Sequence, residues 1–251
     1  MSAVRFTQPE TDDLENHLGP LSAAMRAERD DAPEFFERFG RMTSVPAQKG
    51  ALNEIDRALI GLAVVGNAAG TNWPRLESYA RTALAAGATR EQVRDVLRLV
   101  SIMSIHSMTV GVPALVGVLR ERGVPTPGDD ARRQHLRAQF LRIRGYWHDT
   151  WDDMLAMDPD MFEAYTAFST VVAEHGSLDE RLRELIYVAI DSIVTHLYVP
   201  GIEIHSRRAL DAGATPEQLL TAMEIAALTG ANPYFEAVDR LDSIFSDGGI
   251  G

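Results

Sequence analysis

The sequence contains no cysteine. That absence removes disulfides, thiolate nucleophiles, CxxC redox pairs and cysteine metal ligands together. Positive charge is also scarce: 24 Lys and Arg face 36 Asp and Glu, for a formal net charge of -12. A surface of that sign repels phosphate backbones, so no nucleic-acid partner is expected. There is no Gly-rich phosphate loop and no GxSxG elbow, which disfavours nucleotide binding and serine hydrolase chemistry. The opening MSAVRFTQPETDDLENHLG lacks the basic segment and apolar run of a signal peptide. The apolar stretch from Leu59 to Gly70 is too short for a membrane span and contains Asn67. These readings predict a cytoplasmic protein without a membrane partner. At 45% hydrophobic residues over 251 positions, the chain can bury one large core or two small ones.

What is present is a repeat. The stretch NEIDRALIGLAVVGNAAGTNWPRLESYARTALAAGATREQ begins at Asn53, and DERLRELIYVAIDSIVTHLYVPGIEIHSRRALDAGATPEQ begins 126 residues later at Asp179. They align without a gap, so that Arg57 meets Arg183, Pro74 meets Pro200, Glu77 meets Glu203 and Arg81 meets Arg207. AlaGlyAlaThr at 86–89 meets the same four residues at 212–215, and Pro33 and Phe36 meet Pro159 and Phe162. An ungapped match of this length marks an internal duplication.

Each copy reads as helix. Leu59, Leu62 and Ala63, and again Leu185, Val188 and Ala189, follow the i, i+3, i+4 apolar rhythm. Gly87 and Gly213 sit where a helix end needs a left-handed residue. Thr89 with Gln92, and Thr215 with Gln218, form capping-box patterns for the next helix. Pro74 and Pro200 suit a first helical turn. No alternating segment bounded by hairpin turns is present. The expected fold is all-α, built from two tandem helical repeats. The map runs as an N-terminal helical extension over 1–32, with a helix near 12–29, and a first repeat over 33–122. A linker and connecting helical segment follow over 123–158, its start marked by GlyValProThrProGlyAspAsp, and a second repeat spans 159–251 with a frayed tail.

The repeat resembles the carboxymuconolactone decarboxylase family, which includes the alkylhydroperoxidase-D-like proteins. Repeat two carries the pattern as ArgGluLeuIle (183–186), ThrHisLeuTyrValProGly (195–201), His205, AlaLeuAspAlaGlyAlaThr (209–215) and Glu217. Repeat one carries ArgAlaLeuIle (57–60), ThrAsnTrpPro (71–74), Tyr79 and AlaLeuAlaAlaGlyAlaThr (83–89). The resemblance implies an orthogonal helical bundle of the alkylhydroperoxidase-D type and an oligomeric ring. A chain with two copies resembles a fused pair, so the resemblance implies a homo-oligomer, with three chains completing a six-repeat ring. Redox members carry two cysteines before the histidine. Here those positions fall on Tyr198 and Gly201, so a disulfide cycle is chemically impossible. The decarboxylase branch needs no cysteine.

His205 occupies the family histidine position, and imidazole titrates where proton transfer at neutral pH needs it. Tyr198 lies seven residues upstream and shares a helix face with His205 if the helix reaches that far. Thr195, His196 and Tyr198 add a hydroxyl, an imidazole and a phenol; the bland alternative is a helix cap beside a buried histidine. Repeat one has Tyr79 in place of the histidine, and Asn72 and Trp73 in place of Tyr198 and Val199. At most one site per chain is therefore expected, on repeat two, with His106 of repeat one as a contributor or as a core histidine. Glu203 is read as the i+4 partner of Arg207 or a substrate contact. Arg183 is read as an ion-pair partner of Glu184 or Glu180, or as a clamp for a substrate carboxylate. Trp147, Trp151 and Tyr146 are read as core, or as the wall of an apolar pocket. His196, His205 and His106 lack HxxxH or HExxH spacing, so neither metal nor cofactor is expected.

These residues suggest a cofactor-free acid–base lyase acting on a small organic acid or lactone, with His205 moving the proton and Tyr198 and His196 steadying an oxyanion. His106, Thr195, Glu203 and Arg183 are the candidate substrate contacts. The rivals are an alkylhydroperoxidase-like antioxidant enzyme, which the missing cysteines oppose, and a non-catalytic binding or assembly protein that keeps the fold.

Overall fold

The computed structural model describes residues 21–67 and 70–247, and no strand occurs among them. The fold is all-α. The expected helix near 12–29 lies partly outside the described residues; its described end is α1, Ala23–Asp31, capped by Ser22. Then come α2 (Pro33–Lys49), α3 (Glu54–Val65), α4 (Trp73–Ala85), α5 (Arg90–Ile102) and, after a 3-10 turn, α6 (His106–Glu121). The segment between the repeats folds as two helices, α7 (Ala131–Arg144) and α8 (Thr150–Met157), broken at Gly145, whose φ is 75°. Repeat two follows as α9 (Pro159–His175), α10 (Glu180–Asp191), α11 (Val199–Asp211), α12 (Pro216–Ala227) and, after a second 3-10 turn, α13 (Asn232–Asp247).

The helix limits carry the offset of the sequence. Moved by 126 residues, the limits of α2, α3, α4 and α6 coincide with those of α9, α10, α11 and α13. Local signals fix these limits. Asn53 and Asp179 cap α3 and α10 by accepting from the backbone N–H of Asp56 and Leu182. Gly87 and Gly213 adopt φ of 105° and 89° just past α4 and α11, where a side chain would be strained. Thr215 and Gln218 close a reciprocal capping box, and Thr89 and Gln92 exchange the same two bonds.

The helices gather into two compact units, which divide the chain differently from the repeat limits. The first unit holds residues up to Val100 and from Leu178 onward. At its centre α3 packs on its counterpart α10, tied by Arg181 to the buried Asp56 at 2.7 Å. Each carries its own partner, α4 on α3 and α11 on α10, while α12 touches both central helices. Leu59, Ile60, Leu62, Leu185, Ile186 and Val188 are fully or almost fully buried there, as the helical rhythm requires. The second unit, Ser101–Ser177, packs α6 on α8 and α9 on α7 and α8.

An aromatic cluster recurs in each unit. In the first, Phe36, Phe39 and Phe235 meet Leu21 and Met25. In the second, Phe162 and Tyr165 stand at the positions of Phe36 and Phe39, and Trp147 and Trp151 at those of Leu21 and Met25. Trp147, Trp151 and Tyr146 are thus core or packed against it, around the fully buried Phe140.

The longest apolar helical stretch is not the one around Leu59. It is Arg90–Glu121, 32 residues, long and apolar enough to cross a membrane by length and composition alone. The 3-10 turn Met103–Ile105 interrupts it, and its exposed side chains include Val110, Leu115 and Val118.

Candidate functional site

The site is built on α10 and α11 of the first unit. Within the apolar run of α10 stand two carboxylates, Glu184 and Asp191, both buried. They are seven residues apart, hence on one helix face and about 10.5 Å apart along the axis. Each meets an imidazole. His205, on α11, brings Nδ1 to 2.7 Å from Glu184 Oε2. Its ring lies against Tyr187, with centroids 4.5 Å apart. On the other side of Glu184, Arg208 Nε donates to Oε1 at 2.9 Å, and the same guanidinium reaches Glu180 Oε1 at 2.9 Å. Burial pushes the Glu184 carboxyl up, but the hydrogen bond and charge of His205 and the Arg208 guanidinium outweigh it and hold the group below the usual carboxylate range. Glu184 is therefore an anion at neutral pH that orients His205. With Nδ1 engaged, Nε2 of His205 has no protein partner among the described residues and is the nitrogen left for chemistry.

The second pair is different in kind. Asp191 closes α10 and has no exposed surface, and burial raises its pKa from 3.8 to about 8. At neutral pH it is a proton-bearing acid. His196 Nε2 stands 3.7 Å from Asp191 Oδ1, and partial burial lowers the imidazole's pKa, which favours its neutral form. Gly201 makes the close approach of α11 possible, since a Cβ there would fall 2.0 Å from Asp191 Oδ2. The turn between α10 and α11 carries Leu197 at φ 44°, a left-handed conformation that a leucine adopts only under restraint.

Against the expectations from sequence, several residues move. Tyr198 does not share a helix face with His205, because α11 begins at Val199 and Tyr198 stands at its cap. Its ring is 6.3 Å from that of His196. Thr195 lies on the exposed part of the turn. Glu203 is exposed and pairs with Arg207 at 3.4 Å, on a different face from His205. Arg183 makes no ion pair with Glu184 or Glu180. Its guanidinium donates to the Leu178 carbonyl at 3.3 Å, and Arg208 takes the carboxylates because it faces them from α11. His106 opens α6 in the second compact unit, half-buried.

Glu184 entered the sequence reading only as a partner for Arg183, and Asp191, Tyr187 and Arg208 did not enter it. A signal was present: at the offset of 126, Glu184 and Asp191 face Ala58 and Val65, so repeat two places carboxylates where repeat one is apolar. The other differences fit this one. Tyr187 replaces Gly61 and His205 replaces Tyr79, so repeat two carries a ring on both the inner and the outer helix where repeat one carries a single ring on the outer. In repeat one the Tyr79 ring covers Gly61 so closely that a Cβ there would lie 2.3 Å from it.

The solved structure of a protein from Burkholderia xenovorans LB400, provisionally named a gamma-carboxymuconolactone decarboxylase subunit, superposes on this chain with a TM-score of 0.89. The two are 38% identical over 97% of this chain and 100% of that one. The chain belongs to the carboxymuconolactone decarboxylase family. The model of that family matches residues 159–241, which is repeat two and includes both histidine–carboxylate pairs. No curated protein matches the chain. Family match and geometry converge on repeat two: the residues that match the family model include both histidine–carboxylate pairs.

Proposed function

We propose that this carboxymuconolactone decarboxylase family member is a cofactor-free acid–base carboxy-lyase of the cytoplasm, acting on a small organic acid or lactone at repeat two. The observation that carries the reading is the 2.7 Å contact of His205 with the buried Glu184 anion. Such a pair holds the imidazole in one orientation with Nε2 turned to the reacting group, which is what a general acid–base requires. The protonated Asp191 beside His196 supplies a second proton donor. Loss of carbon dioxide leaves the bonding electron pair as an enolate; a donor must steady its oxygen, and a proton must reach its carbon and be regained from water. His205 and the Asp191 acid suit the proton step, with Tyr198 and His196 as candidate oxyanion donors. The name of the Burkholderia xenovorans relative agrees with this reaction class. Tyr198 and Gly201 at the cysteine positions leave no thiol for a peroxide cycle.

The test is carbon dioxide release from γ-carboxymuconolactone and a panel of lactone acids and β-keto acids, comparing wild type with His205→Ala. Release that drops at least about a hundredfold in the variant is expected. No release by wild type across the panel sinks decarboxylation as the function.

A homo-oligomer, with a trimer as the proposed state, is supported by the exposed apolar residues. They recur in pairs at the repeat offset: Trp73 and Val199 are 66% and 58% exposed, Met42 and Phe168 49% and 52%, Val118 and Ile244 51% and 62%. Repeated apolar positions on a duplicated chain suit repeated contacts between copies. Light scattering at micromolar concentration decides it, and a monomer refutes it.

A further inference from the structure

The positions that hold the ion chain in repeat two line an open cavity in repeat one. Glu180, Glu184, His205 and Arg208 correspond to Glu54, Ala58, Tyr79 and Thr82 at the 126-residue offset. All four of the latter line a cavity of about 330 Å³ in the first compact unit. Ala58 in place of a glutamate and Thr82 in place of an arginine put smaller side chains at these two positions than repeat two has. Thr43, Ser44 and Pro46 of α2, Arg57 of α3, and Ile225 and Leu228 at the end of α12 complete the wall.

The charges of this wall are not spent. The half-buried Arg57 donates to the Leu52 carbonyl and has no carboxylate partner among the described residues. Its counterpart Arg183 has the same backbone bond, but its neighbourhood already holds the Glu184 and Glu180 anions. A guanidinium has donors beyond the one used, in a fork that fits a carboxylate. In the same wall, Ala58, Pro46, Ile225 and Leu228 offer apolar surface. Glu54, exposed on the same helix one turn before Arg57, repels a second negative charge. The hydroxyls of Thr43 and Ser44 already donate to the Gly40 and Arg41 carbonyls, so towards a ligand they act as acceptors.

We propose that this cavity is a second small-molecule site, binding a monocarboxylate with a short apolar body through Arg57. It carries no catalytic machinery, because the imidazole and its buried carboxylate are replaced by Tyr79 and Ala58. The site is distinct from the proposed reaction centre on repeat two and does not depend on that assignment. It lies on α3, which packs on α10, so its occupant is held one helix away from Glu184 and Asp191.

The experiment is calorimetric titration of the full chain with butyrate, benzoate, 2-oxobutyrate and, as a dianion control, succinate. Wild type is compared with Arg57→Met, Ala58→Leu and His205→Ala, each checked for native helicity and melting. Millimolar or tighter binding of a monocarboxylate is expected, with succinate weaker. It should survive His205→Ala and weaken at least about tenfold in Arg57→Met, the scale of a lost charge-assisted hydrogen bond. Ala58→Leu should abolish it by filling the cavity while leaving Arg57 in place. Binding that vanishes in His205→Ala and persists in Arg57→Met and Ala58→Leu overturns the proposal and puts the ligand on repeat two. Absence of binding by every probe overturns it as well.

Discussion

Nδ1 of His205 lies 2.7 Å from Oε2 of Glu184, and the carboxylate that receives it is buried and held from its other side by Arg208. The three groups share one charge balance. An imidazole and a guanidinium converge on one buried anion, so the arrangement is fixed only while all three are present.

Glu184→Gln keeps the shape and removes the charge. The loss of a buried pair's anion is expected to cost about 3–5 kcal/mol, since Arg208 and His205 lose their common partner. Urea unfolding at neutral pH measures it. The wild-type pH profile carries the same group. Its folded pKa lies below the ordinary 4.5, so its contribution is fully present above that value and is lost as pH falls through the lower folded pKa. The stability difference between wild type and Glu184→Gln should therefore be constant at neutral pH and shrink on acidification below about 4.5. In carbon dioxide release, the variant should retain less than about one hundredth of wild-type turnover if His205 needs its anion.

Gly201→Ala tests the approach of α11 to the end of α10. The new methyl would stand 2.0 Å from Asp191 Oδ2 and 2.7 Å from Tyr198 Cδ1, so helix, carboxylate or phenol must move. Overpacking of this kind costs about 1–3 kcal/mol. A thermal melt should show the loss, and a crystal structure should show Asp191 displaced from His196. Gly213→Ala, at φ 89° with nothing within 4 Å of the added methyl, should cost stability through backbone strain alone and leave that pair unmoved.

The recurrent aromatic clusters predict two local effects of similar size. Phe36 and Phe162 are 3% and 1% exposed and occupy equivalent positions in the two units. Truncation of either to alanine should cost about 3–5 kcal/mol. Hydrogen exchange should place the loosening of Phe36→Ala in α1 and α13, and that of Phe162→Ala in α7 and α8. Equal loosening of both sets by one substitution would contradict the clusters' independence.

Much of this was legible in the sequence, for local reasons. Asn53, Asp179, the ThrGln boxes and the glycines after α4 and α11 act within a turn or two of their own position, so the pattern shows them. The partners of Glu184 were not legible in the same way. Which arginine meets a buried carboxylate depends on how α11 crosses α10, and that set Arg208 rather than Arg183 beside it. Whether Tyr198 shares a face with His205 turns on the helix start, and α11 begins at Val199, with Pro200 in its first turn, leaving Tyr198 at the cap. Asp191 reads on the page as an ordinary acidic helix end. Its chemistry comes from burial, which one residue's identity does not reveal.

Asp191→Asn isolates that burial. The folded pKa of about 8 stands above the ordinary 3.8, so between those values the folded protein holds a proton that the unfolded chain has released. Stability then falls as pH rises across this window, because keeping the buried group neutral costs more at each step. An asparagine mimics the protonated form and never ionises. The variant should therefore match wild type near pH 4, gain over it progressively up to about pH 8, and hold a constant advantage beyond, where wild type must bury the anion. For a chain of this size each kcal/mol of that gain raises the melting temperature by about 2–4 °C. Scanning calorimetry of both proteins over this range measures the difference directly. A flat difference across the window means that Asp191 is ionised in the folded state and is not the acid of the site. If the difference rises while carbon dioxide release collapses, the proton whose loss destabilises the fold at alkaline pH is the one the reaction uses.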